Sequence, residues 1–481
     1  MARKFYITTS IPYTNASPHI GFALEIIQAD VLARYHRGLE EDVFFSTGTD
    51  EHGLKTLRAA EAAGKTTTEF ADELSGKFKD LAEKLNISNS DFIRTTDEAR
   101  HKPAVYKLWE QYEKKGDIYK KKYKGLYCPG CEAFKTEKEI IDGKCVIHQK
   151  PIEEVQEENY FFKLSKYLPE IKKLIENDKL KIIPESKKNE VLGMIEQGME
   201  DLSVSRSKEK YWGWPIPGDD SQNLYVWLDA LPNYISVLGY GTDEKNFKKY
   251  WPVDVHCIGK DIVKFHAIYW PAMLLSAGIE LPKSIFVHGF INVAGQKMSK
   301  SLGNVVNPFE LVEKYGTDAV RHFLVQHIHP FEDGDFTIER FEERYNSDLA
   351  DGIGNLVARI IKLAQMYLEE KLEGRVKKEE GEGQYKTDYE ETLEKYRFDQ
   401  ASDYIFREIS RIDKNISEEK SFEVMKNGDQ EKGKELIRGY VQELYRIARL
   451  LGPFMPQTSE KIIEQLKTKE SQPLFPRLNV G

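Results

Sequence analysis

Apolar residues in this chain repeat with two periods, and the switches between them mark its elements. Phe5, Tyr6 and Ile7 make Lys4–Thr9 a predicted strand. Ile20, Leu24, Ile27 and Val31 then recur at helical spacing, so a helix is expected to about His36. Ser17 is its expected cap, Pro18 fits its first turn, and His19 falls just inside it. Residues 43–46 read as a second strand and 54–85 as helical scaffold. Residues 159–164 read as a strand followed by a charged helix to about Lys179, and a Pro/Gly/Trp turn cluster starts at Tyr211. Tyr225-Val226-Trp227 reads as strand, with Pro232 opening a helix that Gly239 ends. His256 starts a strand that turns at Gly259 into a helix with Ile262 and His266 on one face. Residues 285–293 read as one buried strand opening into a turn at 294–296. From Asp348 to about Lys467 the pattern is helical, except for the charged stretch 373–394, which is expected as an exposed loop.

A chain of 481 residues has room for about three domains and needs no disulfide staples. Its net charge of −9 argues against a general nucleic-acid coat but leaves local basic patches open, such as Lys120-Lys121-Lys122 with Lys124. A solvated face is the plain alternative for such a run. No apolar run is long enough to span a membrane, and the N-terminus lacks a signal-peptide pattern. With four cysteines, three of them clustered, a cytoplasmic protein is expected.

Chemistry concentrates in three places. Between Leu281 and Phe309 there is no acidic residue, where the chain-wide fraction would give about five. That stretch holds Lys297-Met298-Ser299-Lys300-Ser301, two point charges and two hydroxyl donors suited to a polyphosphate. A strand, a small-residue loop and a helix N-terminus surround His19, an arrangement that favours anions. Cys128 and Cys131 are two residues apart, as are Cys145 and His148, and thirteen residues separate the pairs. This spacing suits one closed Cys3His zinc site, with unligated thiols as the alternative.

Lys297–Ser301 spells KMSKS, which resembles the signature loop of class I aminoacyl-tRNA synthetases, and residues 12–22 (PYTNASPHIGF) resemble that class's HIGH region. Over nearly its whole length the chain is similar to the methionyl-tRNA synthetase family. The fold implied is α/β: a Rossmann-type parallel nucleotide-binding sheet, split by a zinc-containing insertion and followed by an α-helical bundle. The implied domains are 1–115 and 219–306 for the two catalytic halves, 116–218 for the insertion, 307–347 for a linking stem-contact region and 348–481 for the anticodon-binding domain. The resemblance implies ATP-dependent joining of methionine to its CAU-anticodon tRNA through methionyl-adenylate, with magnesium accompanying ATP. His19, Lys297 and Lys300 would be catalytic. Pro12, Asn15, Gly21, Phe22, Gly259, Asp261, Met298, Ser299 and Ser301 would join His19 and Lys300 around ATP. Asp50 would meet the amino group of methionine; alone, it reads equally well as a helix cap. Ile11, Tyr13, Trp227, Ala230 and Tyr234, with Ile262, Phe265, His266 and Trp270, would enclose the side chain, aromatic walls suiting a thioether. Asn355 and Arg359 would read the anticodon, with Phe422 where the family carries a tryptophan after proline.

Phe22 departs from the family pattern, since the fourth HIGH position is normally a second histidine. The chain ends without a recognisable appended module, so a monomer is expected. Two other readings stay open: a synthetase for another hydrophobic amino acid, and a non-catalytic tRNA-binding relative.

Overall fold

Lys4–Thr9 forms the strand that its aromatic run predicts, and its last five residues are buried. On one side it pairs in parallel with Asp42–Thr49, which pairs with Asp91–Arg94. On the other it pairs with Val255–Gly259, followed by Ser284–His288 and then Lys181–Ile183, all parallel. The chain thus adds strands outward on one side of Lys4–Thr9 and then fills the other side, where the outermost strand, Lys181–Ile183, comes before the two inner ones in sequence. This reversal of order is a switch point, where crevices open at the carboxyl ends of a parallel sheet. The edge strand Lys181–Ile183 comes from within residues 116–218, so that stretch also contributes to the central sheet.

The computed structural model describes residues 3–130, 133–135, 139–147, 149, 151–298, 303–369 and 388–479. They fall into two units. The first comprises Met1–Pro18, Glu40–Ala82 and Ser88–His288; the second comprises His19–Leu39, Glu83–Ile87 and Gly289–Gly481. In the first unit one apolar core joins Tyr6 and Ile93 of the sheet to Trp109, Phe162, Tyr225 and Trp270. A separate antiparallel sheet pairs Ile118–Cys128 with Glu153–Phe162 over ten residues. This ladder extends the strand expected at 159–164 backward to Glu153, because Lys122 faces Glu158 and the opposite charges suit neighbouring positions.

Several local expectations are corrected. Helix Ile20–Gly38 starts after His19, which is itself the cap, so neither Ser17 nor Pro18 serves the expected role. The scaffold at 54–85 is two helices, Leu54–Ala62 and Thr67–Lys84, broken where Gly64 takes a positive φ of 67°. Tyr225-Val226-Trp227 is not strand. The Tyr225 N–H donates to Val204 O and the Val226 N–H to the Tyr211 hydroxyl, which ends the ladder, and Val226–Ala230 turns helical. The run 285–293 is two strands in different sheets. A side chain at Gly289 would lie 2.1 Å from Glu332 O, and residues 289–290 belong to neither strand. The charged stretch ends in a helix, Asp388–Glu394, because Tyr389 and Leu393 bury one face; residues 370–387 lie outside the described residues.

The second unit is mainly helical. Arg321, wholly buried, is its hub: it pairs with Asp30 at 2.8 Å and donates to Leu85 O, Pro453 O and Phe454 O. Among the described residues no helix is long and apolar enough to cross a membrane.

Candidate active site

In the first unit the loop after Lys4–Thr9 and the end of Asp42–Thr49 are locked together. The Asp50 N–H donates to Pro12 O at 2.9 Å and the Thr14 N–H to Asp50 O at 3.0 Å. Asp50 is buried, and the next helix begins only at Leu54 with Gly53 as its cap, so Asp50 does not cap it. Ile11, Pro12, Tyr13 and Asn15 are half-buried along this loop. Across the switch point Gly259 ends its strand and Lys260–Ile262 makes a single tight turn, with Asp261 exposed. The expected helix after it is π-helical over Phe265–Tyr269 before becoming α-helical from Trp270.

Aromatic rings collect here. Trp227 and Phe265 stack with centroids 3.6 Å apart and planes within 8°. Tyr234 packs against His256, His266 and Trp270. Ile262 O can only accept, so His266 Nδ1, 3.0 Å away, carries the proton. His266 Nε2 then accepts from the Tyr234 hydroxyl at 2.7 Å. The ring is therefore fixed at both ends. Trp270 is wholly buried against Tyr234 and Trp251, and Ala230 is buried as well. Burial holds His256 neutral by pushing its pKa well down, with His266 adding to the effect.

Three residues of this region carry no motif signal of their own. Asp229, one residue before Ala230, is buried and holds two histidines. His52 Nδ1 lies 2.6 Å from Asp229 Oδ2, and His101 Nε2 lies 3.1 Å from Asp229 Oδ1. His52 follows Asp50 by two residues, so this carboxylate ties the Asp50 loop to the turn bearing Trp227 and Ala230. Despite full burial, which raises it, the Asp229 carboxyl sits below its ordinary pKa because of the two imidazoles. Glu51, beside Asp50, is scaffold: Arg94 clamps it with two hydrogen bonds of 2.6 and 3.0 Å.

The second unit holds the other two motifs. His19 is exposed, and its Nδ1 accepts from the Gly21 N–H at 3.0 Å. The proton of a neutral ring then sits on Nε2, which makes that atom the ring's donor. The Ile20 N–H donates to Val306 O at 3.2 Å, and a side chain at Gly21 would lie 3.7 Å from the Met298 methyl. The helix start, Met298 and Val306 are thus neighbours. Residues Ile291–Val293 and Gln296–Lys297 form a hairpin whose two turn residues, Ala294 and Gly295, have φ of 52° and 74°. It presents Lys297 exposed and Met298 half-buried; Ser299, Lys300 and Ser301 lie outside the described residues. Phe22 is buried at 8% exposure and offers no side-chain donor.

The sequence matches the family described as tRNA synthetases class I (M) over residues 5–150 and 135–361. It is 43% identical to a methionine–tRNA ligase of Thermotoga maritima, over 97% of this chain and 76% of that protein. It is 41% identical to the Clostridium acetobutylicum methionine–tRNA ligase, over 99% and 79%. The chain belongs to the methionine–tRNA ligase family. Its structure is similar to that of the Mycobacterium tuberculosis methionyl-tRNA synthetase in complex with methionyl-adenylate, with a TM-score of 0.89, 35% identity and coverage of 100% of this chain and 99% of that one. The Rossmann-like parallel sheet and the helical C-terminal region are those of this family.

Of the other residues singled out in the sequence, Cys128 and Cys145 are both fully buried at strand ends, which suits paired ligands; Cys131 and His148 lie outside the described residues. Asn355 and Arg359 share an exposed face of helix Asn355–Tyr367. Arg359 is engaged there, donating to Asp413 at 3.0 Å and Ser417 at 3.2 Å. Phe422 is 53% exposed. The basic run is partly countered: Lys120 donates to Asp219 at 2.8 Å and Lys122 faces Glu158.

Proposed function

We propose that this chain activates methionine with ATP and transfers it to methionine tRNA, as the family name implies. The observation that carries the reading is the aromatic wall of Trp227, Phe265 and Tyr234, with Asp50 buried and fixed in the same unit. A thioether suits the rings and an α-ammonium suits the carboxylate. In the first step the methionine carboxylate attacks the α-phosphate, an O–P bond forms, and the bond to the leaving pyrophosphate breaks. No general base is needed, because the nucleophile is already ionised. In the second step the terminal ribose hydroxyl of the tRNA attacks the carbonyl carbon and AMP leaves. Positioning and charge stabilisation supply the rate. His19 donates through Nε2 to phosphate oxygens, and Lys297 and Lys300, with Ser299 and Ser301, offset the growing charge. Pro12, Asn15, Gly21, Met298, Gly259 and Asp261 line the nucleotide's path. Magnesium accompanies ATP and neutralises phosphate charge.

Cys128, Cys131, Cys145 and His148 hold one structural zinc; the burial of the two described thiols supports this donor set. The stretches 1–115 and 219–306 act as the catalytic halves, 116–218 as the insertion, and 307–347 contacts the tRNA stem. Asn355, Arg359 and Phe422 in 348–481 read the CAU anticodon. The enzyme works as a cytoplasmic monomer.

The test is methionine-dependent ATP–pyrophosphate exchange with leucine, isoleucine and valine as controls. Exchange with methionine alone is expected. Exchange with another of these amino acids, or none at all in folded protein that binds tRNA, overturns the reading.

A further inference from the structure

Outside the site above, one cluster in the second unit joins metal-binding side chains of three kinds of position. His322 lies within helix Thr317–Gln326, His327 caps that helix at its C-terminus, and Asp348 lies in the π-helical segment Tyr345–Gly354. One ligand atom from each residue falls within 4.8 Å of the others. His322 Nε2 and His327 Nε2 approach the same oxygen, Asp348 Oδ2, at 3.2 and 2.8 Å. Ligand atoms around a tetrahedral zinc ion, each about 2.0–2.1 Å from it, stand roughly 3.3 Å apart, close to the two imidazole–carboxylate separations here. The other carboxylate oxygen of Asp348 accepts from the Ser347 hydroxyl at 2.7 Å, the kind of outer contact that orients a ligating carboxylate. His322 is 2% exposed, so water does not compete for its ring.

The cluster opens onto a cavity of about 430 Å³ lined by His327 and Asp348 and also by Asp399, Asp403, Arg340 and Arg344. Three carboxylates face two guanidinium groups there. Arg340 is already committed, donating to Asp335 O and His327 O, and the second of these bonds holds the His327 backbone in place. The cavity is roomy enough for water to complete the coordination of an ion held by three protein ligands.

We propose that His322, His327 and Asp348 form a divalent-cation site of the zinc type that ties helix Thr317–Gln326 to segment Tyr345–Gly354. The ion would brace the base of the helix that carries Asn355 and Arg359, which continues directly from that segment. It is separate from the cysteine cluster, and its ligands are nitrogen and oxygen alone.

The test uses the full chain, stripped with a chelator and titrated with Zn2+ and Co2+. His327 is half-buried at the cavity rim, so His327→Gln should fold where His322→Gln risks not folding. Elemental analysis should show His327→Gln with one equivalent of zinc fewer than the parent chain. Cobalt bound at this site should give absorption bands without the sulfur-to-metal charge transfer of thiolate ligation. Those bands should persist in Cys128→Ser and vanish in His327→Gln. Zinc should raise the thermal midpoint of Cys128→Ser by several degrees and leave Cys128→Ser/His327→Gln unchanged. Equal metal content and equal cobalt spectra with and without His327→Gln would overturn the proposal and leave two imidazole–carboxylate hydrogen bonds as the whole role of the cluster.

Discussion

At the scale of single residues, Asp229 makes the sharpest demand. Replacing it by alanine leaves the buried His52 imidazole without its acceptor, at a cost of about 1–3 kcal/mol, while His101 keeps the Asp229 backbone carbonyl at 2.9 Å. Urea denaturation of Asp229→Ala should show that loss, and the KM for methionine should rise more than kcat falls, because the pocket turn loses its anchor. An unchanged KM would mean that the turn is held by other contacts. The sign of the pH effect follows from the depressed Asp229 pKa. A carboxylate favoured in the folded state adds stability that is full above about pH 4 and declines as the pH falls through the lowered folded value. Asp229→Asn should flatten the acid limb of a stability profile, and a limb identical to the parent's would assign it to other groups. At the phosphate end, Lys300→Ala should slow pyrophosphate exchange by about 100-fold or more while methionine KM stays within about two-fold. Equal losses in both would remove Lys300 from the transition state. His19, Lys297 and Lys300 are singled out by the sequence because their motifs are local. Asp229 is not, because its partners lie 177 and 128 residues away and only the folded sheet brings them in.

At the scale of elements, sequence pattern serves best where neighbours agree with it. Lys4–Thr9 has strands on both sides, so its β-rich run has no competing fate. Tyr225-Val226-Trp227 has equal β character, yet hydrogen bonds to Val204 and Tyr211 stop the ladder at Leu224 and the chain coils. The apolar run at 285–293 hides the break between its two strands because Glu332, which crowds Gly289 there, is distant in sequence. Residue type alone sets His19 one step too far into its helix, since Ser17 is the better cap by that measure, whereas the ring of His19 reaches the Gly21 N–H. Strand contact also predicts where glycine is obligatory. A side chain at Gly48 would lie 2.0 Å from Ile93 O, so Gly48→Ala must push the paired strands apart, with an expected loss of about 1–3 kcal/mol. A denaturation midpoint equal to the parent's would refute that. In the helical region, Phe422→Ala should lower aminoacylation kcat/KM by about ten-fold through lost base stacking and leave pyrophosphate exchange untouched. A fall in both would make Phe422 a structural residue.

At the scale of the whole chain, the two units are each assembled from segments that lie far apart in sequence. The second depends on Arg321, whose guanidinium gathers Asp30, Leu85 and the 453–454 turn. Arg321→Leu should cost about 3–5 kcal/mol in urea denaturation, since it strands partners in a dry interior. A smaller change would show that Arg34, which also holds Asp30 at 2.7 Å, carries the load. The same hub has a consequence for synthesis. Helix Ile20–Gly38 has fourteen buried residues and leaves the ribosome early, whereas Pro453 and Phe454 follow Asp30 by roughly 420 residues. At about 5–20 residues per second the helix waits on the order of 20–80 s for its last partners. During that interval its apolar face is exposed to the cell, so the nascent chain should be a client of ribosome-associated chaperones, and a nonsense mutation before residue 453 should yield aggregate and not a shorter working enzyme.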